Sequence, residues 1–395
     1  MHVKTKRHLK KQVYIAIAVL ALAIAGVYGW HLYSKNAPKE EAAVQPTASP
    51  TATPVPTPEV YTADLFMTGD GLIHGAVYYD AKQDDGSYDF SGMLENLRPI
   101  VDKYDLKYYN QETILGGTEL GLSSYPQFNT PQEFGDAMVD LGFNLVSTAN
   151  NHSLDKGEQG IENSLTYWKN QKNVVTAGTY LSQEEADALP VHEINGITYT
   201  YLSYTYGCNG LTAPEGKEYM VNVYAGHEEE MLEKVRQADQ ISDVVMIAMH
   251  WGTEYSTEAN EEQRSLAQQL SDAGADIIIG CHPHVIEPVE WIDDTICFYS
   301  LGNMISAQDQ QPRLIGMIAG VTITKTVEPD GSSSTVIEQP RADLIYTYYA
   351  PGFTQFKVYP FSQLDDTLLP GYQSIYEEYT GIITAYDSSI QVGGV

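Results

Sequence analysis

The stretch Ala275-Asp-Ile-Ile-Ile-Gly-Cys-His-Pro-His-Val285 decides how the rest of the chain is read. Its β-branched run has the length and apolarity of a buried strand, and Gly280 marks where the run stops. Two histidines, His282 and His284, follow at once, two positions apart. In open α/β sheets ligands gather beyond the carboxyl ends of the strands, so a pair of imidazoles at such an end points to a metal site. The same grammar recurs elsewhere. Leu65-Phe-Met-Thr68 runs into Gly69-Asp70, Asn144-Leu-Val-Ser-Thr148 leads through Ala149 to Asn150-Asn151-His152, and Val244 to Met249 runs into His250-Trp251-Gly252. These strand ends together present Asp, Asn and His at one edge.

Outward from this stretch, strand and helix patterns alternate. Helices are expected around Phe90 to Tyr104 and over Gln132 to Leu141, Glu158 to Gln171, Glu228 to Asp239 and Asn260 to Gly274. Strands are expected before Asn110, over Phe143 to Thr148, from Val174, over Ile197 to Tyr204, and over Thr295 to Ser300. Such alternation implies an α/β layered domain with parallel strands at its centre. Beyond Met304 the pattern changes: Leu314 to Thr326 and Ser334 to Tyr349 alternate as an antiparallel pair joined at Pro329-Asp-Gly331, which covers or extends the sheet. The Tyr-rich tail to Val395 reads as a half-buried surface, with a saccharide or polymer groove as the alternative.

The 395 residues carry 22 Lys and Arg against 52 Asp and Glu. All five basic residues of the first eleven precede the folded body, which leaves the rest at about −35. So acidic a body repels nucleic acid and attracts divalent cations. The three cysteines, Cys208, Cys281 and Cys297, form no CxxC and no zinc-type spacing, and read as small buried hydrophobes.

Residues 1–12 form a basic segment, and the uncharged run from Val13 to Trp30 predicts a transmembrane signal anchor over 13–33, basic side in the cytoplasm. A signal peptide cleaved after Ala23-Ile-Ala25 is the alternative. Either way the body is expected outside the cytoplasm, tethered to the cell membrane in the first case as a single-pass protein. Residues 34–59, rich in Pro, Thr and Ser, predict a disordered, semi-extended linker. The folded domain is expected over 60–305, and 306–395 as a hairpin extension and tail.

A centre with two metals needs a carboxylate that bridges both ions, further oxygen ligands, and imidazoles to complete each shell. Asp70, Glu112, Asn151, His250, His282 and His284 are candidates for these parts. Glu254 and Tyr255 are candidates for substrate contact, and Tyr125-Pro-Gln-Phe-Asn129 for a wall of the cleft.

Gly69-Asp70, Asn110-Gln-Glu112, Asn150-Asn-His-Ser-Leu-Asp-Lys-Gly157, His250-Trp-Gly-Thr-Glu-Tyr255, Gly280-Cys-His-Pro-His284 and Ser300-Leu-Gly-Asn303 together resemble the CapA family of capsule-synthesis proteins. The resemblance spans roughly Tyr61 to Ile305. It implies a calcineurin-like metallophosphoesterase fold, a layered β-sheet domain with helices on its faces, and a link to poly-γ-glutamate production. It also implies one ion held by Asp70, His284 and, at wider spacing than the usual Asp-x-His, His74. A second would be held by Asn151, His250 and His282, with Glu112 as the bridge. His152 matches the histidine that protonates a leaving group. Asp155 either orients His152 or dresses the first turn of the next helix. The cofactors implied are two divalent transition-metal ions, Mn, Fe or Zn.

Two functions follow as expectations. One is an extracytoplasmic metal-dependent hydrolase of capsule biosynthesis or export, acting on a phosphoester or an anionic envelope polymer. The other is a non-catalytic polymer-binding subunit of a capsule synthase, in contact with its membrane subunits.

Overall fold

β1 (Glu59–Gly71) is the strand around which both core and site are arranged. Its first residues are exposed, but from Leu65 to Gly71 every residue is buried, as expected of a central strand covered on both faces. The computed structural model describes residues 57–395, which form one compact unit.

After β1 the chain lays down β2 (Leu106–Asn110), β3 (Leu145–Ser147) and β4 (Val175–Ala177), parallel neighbours in that order. It then builds a second sheet from β5 (Val191–Ile194), β6 (Ile197–Thr205), β7 (Val244–His250), β8 (Ile277–Cys281), β9 (Val289–Ile292) and β10 (Thr295–Phe298). The order there is β5-β6-β7-β8-β10-β9, with β6, β7, β8 and β10 parallel. The chain finally returns to the first sheet. Short β11 (Asn303–Ile305) runs parallel to β1 and sets Asn303 opposite Asp70. β12 (Ile315–Val327), β13 (Ser333–Ala350) and β14 (Thr354–Pro360) add antiparallel strands on the side of β1 away from β2, and β15 (Gln391–Val392) pairs with β13. The expected hairpin thus extends the sheet, and does so beside the central strand.

The sheets pack face to face. Alternate residues of β7 show the division: Val244, Met246 and Ala248 join the core between the sheets, whereas Val245, Ile247 and Met249 face helices Glu228–Ala238 and Glu261–Ala273. Phe66, Tyr109 and Val146 likewise meet Phe134, Met138 and Trp168 of helices Glu133–Asp140 and Gly157–Asn170. The result is a helix–sheet–sheet–helix sandwich, the layering that the metallophosphoesterase resemblance implies. Each fully buried aliphatic side chain contributes roughly 1.5–3 kcal/mol.

Helix Glu261–Ala273 shows why these segments end where they do. Asn260 accepts the Gln263 amide, and Gln263 Oε1 accepts the Asn260 amide, a reciprocal cap at 2.8 and 2.9 Å. Gly274, at φ +109°, closes the other end.

Two expectations are corrected here. The helix expected around Phe90 to Tyr104 is broken into Ser91–Leu94, a 3-10 turn Glu95–Leu97 and Arg98–Val101. Pro99 lacks an N–H and starts a new turn instead of continuing the old one. The transmembrane helix expected over 13–33, and with it the single-pass topology, cell-membrane location and attachment through that helix, is not upheld. No helix among the described residues is long and apolar enough to cross a membrane; the longest, Gly157–Asn170, has 14 residues and a polar face, against ~20 apolar residues for a span. The segment 13–33 and most of the expected linker lie outside the described residues.

Candidate metal centre

Two glycines of the quoted motifs allow the strand ends to converge. A Cβ on Gly69 would stand 1.8 Å from Gly302 O, and one on Gly280 would stand 1.9 Å from Tyr299 O. Only a residue without a side chain permits backbones to approach so closely. Past Gly280 the chain turns sharply, with His282 at φ +103° and His284 at φ +61°. Left-handed backbone at a non-glycine residue costs on the order of 1–3 kcal/mol and is typical of functional sites.

Four buried strand ends meet here. Asp70, Glu112 and His284 form one group of ligand atoms within 4.8 Å of one another, and Glu112, His250 and His282 form a second. Glu112 belongs to both. His250 Nε2 lies 3.7 Å from Glu112 Oε1, and His284 Nδ1 lies 3.7 Å from Glu112 Oε2. His284 Nδ1 is also 3.5 Å from Asp70 Oδ2. Asn151 Oδ1 stands 3.0 Å from His250 Nε2, at the second group.

The electrostatics are unusual for a metal-free interior. Glu112 is fully buried, and neither carboxylate oxygen has a hydrogen-bond partner. Burial pushes its carboxyl well above the ordinary range, and neighbouring Asp70, Glu254 and Asp155 push the same way against the pull of His284. Burial presses His284 down, but the carboxylates of Glu112 and Asp70 outweigh it and hold the imidazole up at about 9. His282 is lowered to about 3 by burial and by His284, and its Nδ1 has no partner. Burial and the neighbouring imidazoles lower His250 as well. An unpaired buried carboxylate beside partnerless imidazole nitrogen costs several kcal/mol. A divalent cation would supply the missing charge and the missing partners, so this donor set fits the implied metals. These are two clusters of buried ligands consistent with a dinuclear metal hydrolase active site.

His152 and Asp155 stand beside these groups. His152 Nδ1 is 2.7 Å from Asp155 Oδ2, which also accepts the Phe128 amide at 2.6 Å. Asp155 thus lies against His152, two residues ahead of helix Gly157–Asn170. Phe128 stands edge-on to His152 and to His74, at ring distances of 4.7 and 5.2 Å. His74 falls outside both ligand groups. Its Nδ1 faces Leu72 O at 3.1 Å and the Ala307 amide at 3.3 Å, and burial lowers its pKa to about 4.

An outer ring of residues went unassigned in the sequence. Asn110 donates to Asp70 Oδ1 at 2.7 Å, and Asn303 Oδ1 stands 3.0 Å from His284 Nδ1. Both lie inside the quoted motifs, so the motif boundaries were the available signal. Tyr206, 4.8 Å from the His282 ring, follows the carboxyl end of β6, the same positional rule that found the ligands.

A four-layer α/β sandwich with paired His, Asp and Glu groups at its strand ends defines a protein of the calcineurin-like metallophosphoesterase fold. The sequence model of the family described as bacterial capsule synthesis protein PGA_cap matches residues 64–308. The chain belongs to that family. It is 34% identical over 180 residues to the PGA biosynthesis protein CapA of Bacillus subtilis (strain 168), covering 45% of this chain and 47% of that one. It is 28% identical over 182 residues to the capsule biosynthesis protein CapA of Bacillus anthracis, covering 45% and 43%. The chain thus spans about half the length of the curated relatives it matches. Among solved structures, a hypothetical protein of Thermus thermophilus overlays with a TM-score of 0.40 at 14% identity, covering 70% of this chain and 98% of that one. Neither the geometry nor these relatives identify an anionic envelope polymer, a phosphoester or synthase subunits as partners of this chain, and those expectations are set aside.

Proposed function

We propose that the centre binds two divalent transition-metal ions and hydrolyses an ester or amide bond in capsule biosynthesis, the process for which the CapA relatives are named. The observation that carries this reading is Glu112, a buried carboxylate with two partnerless oxygens shared between both ligand groups. Asp70, Glu112 and His284 would hold one ion, with His74 offering only Nε2 to it because its Nδ1 is engaged by backbone. Glu112, His250, His282 and Asn151 would hold the other. Mixed nitrogen and oxygen ligands suit Mn, Fe and Zn alike. When bound, such ions acidify water and offset negative charge that develops during hydrolysis.

The chain's own residues do the rest. Asn110 orients Asp70 through its hydrogen bond, and Asn303 Oδ1 stands against His284 Nδ1, so that an ion taken up there would be met by Nδ1 without that bond or by Nε2 with it. Asp155 accepts from His152 Nδ1 and so leaves Nε2 as the atom that moves a proton, to the leaving group as the bond breaks. Phe128 walls the imidazole on one side and limits water around it.

Elemental analysis of the full chain, beside His250→Ala and His282→Ala, tests the proposal. About two equivalents of metal are expected, falling in variants that keep the wild-type circular dichroism. A wild-type chain that retains no metal after incubation with Mn, Fe or Zn would overturn it.

A further inference from the structure

We propose that a cleft in the carboxyl-terminal extension binds the ammonium group of a small organic cation, held between aromatic rings and two carboxylates. The cleft is built from residues beyond the stretch 64–308 that the capsule-synthesis family model matches, and it shares no residue with the metal centre.

The cleft opens beside a bare length of strand edge. β14 pairs with β13 from Ile345 onward and β15 pairs with it at Arg341 and Ala342, so Asp343 and Leu344 fall in the gap between them. The Leu344 amide donates to Asp343 Oδ1 at 2.8 Å. Helix Tyr372–Ile383 packs against β13 and brings Tyr372, Tyr376 and Glu377 into the lining. Tyr372 and Tyr376 are one turn apart and so share a face of that helix. Phe361 completes the aromatic wall, with its ring 5.7 Å from that of Tyr376 and inclined by 39°. The cleft encloses about 480 Å³, the size of a small-molecule site.

Rings and carboxylates in one cleft select for an organic cation. The negative faces of aromatic rings attract a cation, most strongly where water is displaced. Asp343 is half-buried and Glu377 exposed, so one supplies charge at the floor and the other at the rim. The Tyr376 hydroxyl meets the Asp343 carboxyl and fixes it beside the rings. Burial raises that carboxyl above its ordinary range, and an ammonium group beside it would offset the cost of its charge. The remaining lining residues are Ser362 and Gln373, so no Lys, Arg or His answers the carboxylates within the cleft. A bare metal ion would leave the rings unused. An anion would be repelled here, in a chain of net charge −30.

The experiment is calorimetric titration of the full chain with choline and with dimethylbutanol, its uncharged carbon isostere. Wild type, Asp343→Asn, Glu377→Gln, Tyr372→Phe and Tyr372→Leu are compared, with folding checked by circular dichroism. Choline is expected to saturate the wild-type chain and to bind at least about tenfold more tightly than the isostere. Asp343→Asn should lose about tenfold in choline affinity, and Glu377→Gln a smaller factor. Tyr372→Phe keeps the ring and should bind as wild type does, whereas Tyr372→Leu should bind more weakly. Chelation of metal should leave choline binding unchanged, which separates this site from the hydrolytic centre. Choline that fails to saturate the wild-type chain overturns the proposal, as does an isostere that binds equally well. Wild-type affinity for choline in folded Glu377→Gln and Tyr372→Leu overturns it even where Asp343→Asn does not fold. Saturable binding of methyl glucoside in place of choline would assign the cleft to a neutral sugar and overturn it too.

Discussion

His152 Nδ1 and Asp155 Oδ2 lie 2.7 Å apart, with both side chains buried and the Phe128 amide donating to the same carboxylate oxygen. The arrangement commits Nδ1 and leaves Nε2 outside that bond. His152→Ala is therefore expected to fold and to hold its metal but to lose roughly 10²–10⁴ in turnover. Asp155→Asn should lose less, about 10- to 100-fold, because it disturbs orientation and tautomer and leaves the imidazole in place. Rates on chromogenic ester and amide probes, with metal content measured alongside, separate the two. Equal turnover in wild type and His152→Ala would remove His152 from the chemistry.

Metal bound only by the folded chain stabilises it by mass action, about 2.7 kcal/mol at a free concentration one hundred times the dissociation constant. A chelator should then lower the unfolding midpoint of the wild-type chain. Glu112→Gln removes the charge and one oxygen of the carboxylate shared by both groups, so chelator is expected to leave its midpoint nearly unchanged. Thermal melts with and without chelator check this. A chelator-dependent drop of equal size in Glu112→Gln would mean that Glu112 bridges nothing.

Strand ends were legible in the sequence because parallel strands buried on both faces are written as apolar runs, and their stops at Gly69 and Gly280 stand out. Helices Glu133–Asp140, Gly157–Asn170, Glu228–Ala238 and Glu261–Ala273 fall within a residue or two of expectation, since each carries a helical apolar face. Contacts between distant segments were not legible. β12 pairs with β1 across more than two hundred residues, and no local pattern announces that partner. Helix Tyr372–Ile383 was hidden in the tyrosine-rich tail, although Tyr372, Tyr376, Tyr379 and Ile383 repeat at helical spacing. At the site, the ligands stand at strand ends, whereas Phe128 and Tyr255 arrive on loops. Their roles depend on where those segments are docked.

The close approach at Gly280 gives a sharp contrast between glycines. Gly280→Ala would force a Cβ to within 1.9 Å of the Tyr299 carbonyl, a backbone atom that cannot rotate away. A loss of several kcal/mol, or failure to fold, is expected. Gly92→Ala meets nothing within 4 Å in the exposed turn of helix Ser91–Leu94. It should be neutral or stabilising by up to about 1 kcal/mol, since alanine is the better helix former. Urea unfolding of both variants decides the matter, and a Gly280→Ala chain as stable as wild type would refute the packing at the base of the histidine loop.

Asp276 makes the stability depend on pH away from the metal groups. Its side chain is half-buried, and Oδ2 accepts the Val245 amide at 2.7 Å. Burial, with Asp239 and Asp294 nearby, raises the carboxyl from an ordinary 3.8 to about 7 against the opposing pull of that amide. The folded chain therefore keeps a proton that the unfolded chain gives up. Below about 4 both states are protonated and nothing is lost. As pH rises from there towards 7 the unfolded state ionises first, so stability falls across this window, and above it the loss is complete and constant. Asn at 276 can still accept the Val245 amide but has no proton to lose. Asp276→Asn should accordingly gain on the order of 2 kcal/mol over wild type between pH 4.5 and pH 7.5, about half of what the full shift would give for a wholly buried group. Urea unfolding of the two chains at both pH values measures it, and parallel pH profiles would show that Asp276 ionises in the folded protein as freely as it does in the unfolded chain.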